Sequence, residues 1–117
     1  MQKIRKKIID IINNIYNRNI TTNEIDYEQV KSIIRNNIDT VLVDIRSPQE
    51  YKELHLEGAI NLPLHDLERN PEKYFPNKEE NIILYCQSGI RSKSGVEFLI
   101  KKGYKNVYDI KGGLDNI

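Results

Sequence analysis

The sequence predicts an α/β fold in which a central, mostly parallel β-sheet is flanked by helices on both faces. Two observations carry this. Thr40-Val41-Leu42-Val43-Asp44-Ile45 and Asn81-Ile82-Ile83-Leu84-Tyr85 are apolar, β-branched runs too short for helices, the pattern of strands buried on both faces. Stretches of helical periodicity alternate with such runs along the chain, the order that builds a parallel sheet through crossover helices.

From Ile4 to Tyr16 apolar residues at 4, 8, 11 and 15 form a helical stripe, and the Asn-rich residues 17–23 read as a linker. Residues 1–22 are therefore expected to be a basic amphipathic helix and linker, and residues 23–117 the main domain. A second helix is expected with Val30, Ile33 and Ile34 on one face, capped by Asp26 and ending at Asn36-Asn37. After the strand at 40–45, Ser47-Pro48-Gln49-Glu50 starts a short helix, with a capping serine, proline at the first helical position and a glutamate to close the capping box. Gly58 to Pro63 predicts a turn and a short strand stopped by proline. Residues 64–80 predict a long connection holding one short helix. The strand at 81–85 leads through Cys86-Gln87-Ser88-Gly89-Ile90-Arg91 into a helix that runs to about Lys102, burying Val96, Leu99 and Ile100, with Gly103 as its C-cap. Asn106 to Ile110 is the last strand, and Gly112-Gly113 turns the chain after it.

The chain has 117 residues, 38% hydrophobic and 30% charged, enough for one domain that folds without a structural metal or disulfides. Its single cysteine excludes an internal disulfide and fits a reducing compartment, so a cytoplasmic location is expected. No apolar run approaches the roughly 18 residues of a membrane span. The net charge of +1 hides an asymmetry: residues 1–22 carry +4 and the remainder −3, so the main domain lacks a nucleic-acid footprint.

Chemistry is expected at Cys86. Ligands of open α/β sheets bind beyond the C-terminal ends of the strands, and Cys86 follows one strand and precedes a helix. A helix start offers unpaired N–H groups and a positive dipole end, both of which favour a thiolate, so fast alkylation well below about pH 8.5 is expected. Gly89 lets the backbone curl, and Arg91 brings a permanent positive charge suited to an oxyanion. A cysteine without this context is more often an inert small hydrophobe.

These segments together resemble the rhodanese family over nearly all of residues 24–117. Val41 to Tyr51, containing Asp44-Ile45-Arg46, is similar to the family's first signature. His55-Leu56-Glu57-Gly58-Ala59-Ile60-Asn61-Leu62-Pro63 is similar to the stretch that follows it, Cys86 to Arg91 to the active-site loop, and Lys111-Gly112-Gly113-Leu114 to the closing double-glycine motif. The resemblance implies a rhodanese-like domain at 23–117 and a sulfurtransferase with Cys86 as nucleophile. A small donor such as thiosulfate would load Cys86 as a persulfide, and a thiol or cyanide would remove the outer sulfur in ping-pong fashion. It further implies that Gln87, Ser88, Gly89, Ile90 and Arg91 bind substrate, and that Asp44 and Arg46 tie the surrounding loops together. The six-residue spacing from Cys86 to Arg91 matches the sulfur-transferring members; the phosphate- and arsenate-handling members have seven.

A protein sulfur donor or acceptor is a further partner class, and a sulfur relay or a non-catalytic interaction module is the rival reading. His55 and His65 lack an orienting third group for a Cys–His protease, and with Cys86 they lack metal-ligand spacing, so neither metal nor cofactor is expected. Oligomeric state stays open.

Overall fold

The structure, a computed structural model, describes residues 23–117. The amphipathic helix and linker expected over residues 1–22 lie outside the described residues.

Five strands, β1 (Glu24–Ile25), β2 (Val41–Asp44), β3 (Ile60–Asn61), β4 (Asn81–Tyr85) and β5 (Asn106–Ile110), form one sheet in the order β1-β5-β4-β2-β3. All four pairings are parallel. The helices between them are α1 (Tyr27–Arg35), α2 (Pro48–Glu53), α3 (Leu64–Arg69), α4 (Pro71–Tyr74) and α5 (Ile90–Lys101), followed by a 3₁₀ turn at Gly113–Asn116. Among the described residues no helix is long and apolar enough to cross a membrane.

Alternation along each strand sorts the core into two layers. Val43, Ile45, Ile82, Leu84, Cys86 and Val107 pack with Leu67, Phe75, Val96 and Leu99 on the side of α3, α4 and α5. Leu42, Ile83, Tyr85, Tyr108 and Ile110 pack with Val30 and Ile33 of α1 on the other. Asp26 and Gln29 form a capping box on α1, and Ser47 and Glu50 form the expected one on α2, with Pro48 as its first residue.

Three expectations are corrected. Ile100, expected to be buried, is 43% exposed, because it lies at the solvent edge of the apolar face of α5. The 64–80 connection holds two short helices, since Pro71 has no N–H to continue α3 and instead starts α4. Lys102 is the C-cap of α5, with Gly103 one position beyond it at φ +98°, where a left-handed residue closes a helix.

Candidate active site

Cys86 follows β4 directly and lies on the α5 side of the sheet with no exposed surface. The chain then turns through Gly89, whose φ of +93° is unfavourable for a residue with a side chain, and enters α5. This turn brings the start of α5 back over the sulfur. The Gly89 N–H donates to Cys86 Sγ at 3.1 Å and the Ser92 N–H at 3.4 Å. Both are among the N–H groups a helix leaves unpaired in its first turn, so Sγ occupies the positive end of the α5 dipole.

The loop is clamped from outside. The N–H groups of Leu114 and Asp115 donate to the carbonyls of Cys86 (3.0 Å) and Gln87 (2.9 Å). Gly113 makes that approach possible, because a Cβ there would stand 2.4 Å from the Cys86 carbonyl oxygen. The Gln87 side chain accepts from Arg46 Nη1 at 3.2 Å and donates to Asp115 Oδ1 at 2.7 Å, so it bridges two flanking segments. Arg46 itself is buried on buried Asp44, with Nη2 to Oδ2 at 2.8 Å, and also donates to the carbonyl of Leu54. Asp44 raises the Arg46 pKa further. Burial, with Asp44 beside it, pushes the Tyr85 phenol up, and its oxygen accepts from the Leu56 N–H at 3.0 Å. Asp44 and Arg46 thus tie together the loops after β2, α2 and β4.

Arg91 pairs with Glu50 of α2. Its guanidinium lies 3.3 and 3.4 Å from the Glu50 carboxylate and is 45% exposed. Arg91 holds the Glu50 carboxyl below its ordinary range. Ser88, Gly89 and Ile90 line a pocket of about 360 Å³ whose far wall is Glu24, Lys93 and Asp109. His55 stacks on Tyr51, and His65 Nε2 lies 3.5 Å from Asp66 Oδ1. Among the described residues no group of three or more His, Cys, Asp or Glu side chains could hold a metal.

Two residues of the site went unassigned in the sequence. Ser92 Oγ lies 3.4 Å from Cys86 Sγ and 3.2 Å from Asp109 Oδ2. Asp109 pairs in register with Leu84, so it faces the α5 layer as Leu84 and Cys86 do. Its available signal was a lone carboxylate in an otherwise uncharged strand.

Burial pushes the Asp109 carboxyl up to about 6; Ser92 and Lys93 pull it down and Glu24 pushes it further up. The folded protein therefore keeps this proton to higher pH than the unfolded chain, and stability falls as pH rises from about 4 to 6. Asp109→Asn is expected to be more stable than wild type at neutral pH, by on the order of 2 kcal/mol, and to lose that advantage near pH 4. Urea midpoints at the two pH values check this; an advantage that does not change with pH would refute it.

The sequence profile of the rhodanese-like domain matches residues 26–117. The chain belongs to this family. A solved E. coli rhodanese, described with bound anions, is 33% identical to this rhodanese-like domain, with a TM-score of 0.59 over 67% of this chain and 91% of that one. A sulfurtransferase of Allochromatium vinosum is 33% identical over 92 residues, 79% of this chain and 84% of that protein. The tRNA uridine(34) hydroxylase of Photorhabdus laumondii is 32% identical over 118 residues and 96% of this chain, and this chain spans 33% of that protein's length.

Proposed function

We propose that this rhodanese-like domain is a sulfurtransferase that carries one sulfane sulfur as a persulfide on Cys86. The donor is thiosulfate or another persulfide, and the acceptor a thiol or cyanide. The observation that carries the reading is the pair of N–H groups, from Gly89 and Ser92, aimed at a sulfur at the start of a twelve-residue helix. Such donors stabilise a thiolate and the anionic persulfide that replaces it. The Cys86 thiolate attacks the outer sulfur of the donor. The S–S bond of thiosulfate breaks and sulfite leaves with the electron pair.

Cys86 has no exposed surface, so the donor gains access by movement of the loop's side chains. Gln87, Ser88, Gly89 and Ile90 frame that access. Arg91 serves an anionic donor, since its exposed pair with Glu50 is worth at most about 1 kcal/mol and yields to a divalent anion.

The similarity to tRNA uridine(34) hydroxylases over 96% of the chain favours a second reading. In it the same persulfide, or the same thiol, works inside a longer tRNA-modifying protein and exchanges sulfur with a protein partner.

Intact mass after incubation with thiosulfate tests the first reading. Wild type is expected to gain one sulfur that cyanide removes, and Cys86→Ser to gain none. No gain on a wild type whose Cys86 is readily alkylated would sink transfer from thiosulfate and leave the protein-fed relay. No gain with an inert Cys86 would leave a non-catalytic interaction module.

A further inference from the structure

The sulfurtransferase reading has no use for Asp109, a carboxylate only 3% exposed that reaches the nucleophile through a single hydroxyl. We infer that Asp109 is a positioning residue that holds the Cys86 proton through Ser92, so that thiol and carboxyl titrate as one coupled pair. This inference deepens the sulfurtransferase reading and, as a mechanism, rests on it.

The geometry carries the inference. Ser92 Oγ has one proton and two acceptors, Gly89 O and Asp109 Oδ2, each at 3.2 Å, and it lies within reach of the Cys86 thiol. Ser92 is itself completely buried, so no water competes for its hydroxyl through exposed surface. In the loading direction the Cys86 S–H bond breaks and its proton passes to Ser92 Oγ, while the Ser92 proton passes to Asp109 Oδ2. The products are a thiolate, an unchanged serine and a neutral carboxylic acid. The thiolate keeps the Gly89 and Ser92 N–H bonds.

In the delivery direction an acceptor thiolate forms a bond to the outer sulfur and the Cys86 S–S bond breaks. Its electron pair stays on Cys86 Sγ, and the proton returns from Asp109 by the same path. Proton and charge balance over the cycle without exchange with solvent.

The groups around Asp109 set its proton affinity. Glu24 of β1 and Lys93 of α5 face it and pair with each other at 2.8 Å, and Glu97 of α5 lines the same pocket. The lysine and the two glutamates leave no strong positive field on the carboxyl. Burial holds its titration near 6.

Alkylation of Cys86 in the full chain by iodoacetamide, followed from about pH 4 to pH 9, tests the coupling. Wild type is expected to show two rises separated by a plateau that begins where Asp109 ionises, near 6. Asp109→Asn is expected to show one rise, and to react about tenfold faster than wild type on the plateau, because the opposing negative charge is gone. Access to the sulfur is common to both proteins, so the ratio of their rates reports the charge. A single wild-type rise on which Asp109→Asn superimposes would overturn the inference.

A second measurement avoids any change at Asp109. The ¹³Cγ shift of Asp109 is expected to titrate in two steps in wild type and in one step in Cys86→Ser. Identical curves in the two proteins would likewise overturn the coupling. Neither measurement uses a sulfur donor, so a protein that fails to load sulfur from thiosulfate counts against that transfer and leaves the coupling to be judged separately.

Discussion

Gly113→Ala is expected to destabilise the domain by about 3 kcal/mol and to abolish sulfur loading on Cys86. Two penalties act together. Gly113 has φ +61°, a conformation that costs a residue with a Cβ but not glycine. The added methyl would also meet Cys86 O at 2.4 Å and Gln87 O at 2.6 Å. Both neighbours are backbone atoms held by their own bonds to Leu114 and Asp115, so no flexible side chain can swing away. Relief requires the 3₁₀ turn to separate from the loop, which frees the carbonyls that fix the loop's curl. Urea midpoints and intact mass after thiosulfate measure the two effects. A variant with wild-type stability and full loading would show that this close approach does not shape the site.

Asp44→Asn is the second large effect, expected to cost about 3 kcal/mol. The wild-type pair is buried at both ends, 4% exposed for Arg46 and fully covered for Asp44. Asparagine can still accept from the Arg46 N–H, but it leaves the guanidinium charge without a counterion in the interior. The cost is the unpaired charge and not the lost hydrogen bonds alone, so Asp44→Asn combined with Arg46→Gln is expected to be less destabilised than Asp44→Asn by itself. Denaturation of the single and double variants decides it. A double variant at least as unstable as the single would place the cost in packing.

The strands and the loop were legible because each is written in a contiguous stretch. β4 is five apolar or amide residues buried throughout, and Cys86 sits where a parallel strand must hand over to a helix. The capping box of α2 was legible in the same way, through residues three apart, whereas for α1 only the Asp26 cap was read and its partner Gln29 was not. What stayed hidden depends on distance in the chain. Ser92 and Asp109 meet only after β5 pairs with β4, and Gln87 bridges Arg46 and Asp115 only after two separate segments fold onto the loop. Arg91 was read for its charge and its place in the loop, and its ion pair was not foreseen. Its partner Glu50 lies 41 residues earlier, on a helix whose orientation the sequence leaves open. The split of the 64–80 connection into α3 and α4 was signalled by Pro71, whose effect depends on whether a helix already occupies the preceding residues.

The bonds from Leu114 and Asp115 to the carbonyls of Cys86 and Gln87, with the Gln87–Asp115 side-chain bond beside them, join segments 28 residues apart in the chain. In terms of cooperative units, the nucleophile's loop and the stretch after Gly113 open and close in one event, and their amides share one opening free energy. Whatever grips or releases residues 114–117 therefore bears on how firmly the loop around the buried sulfur is held.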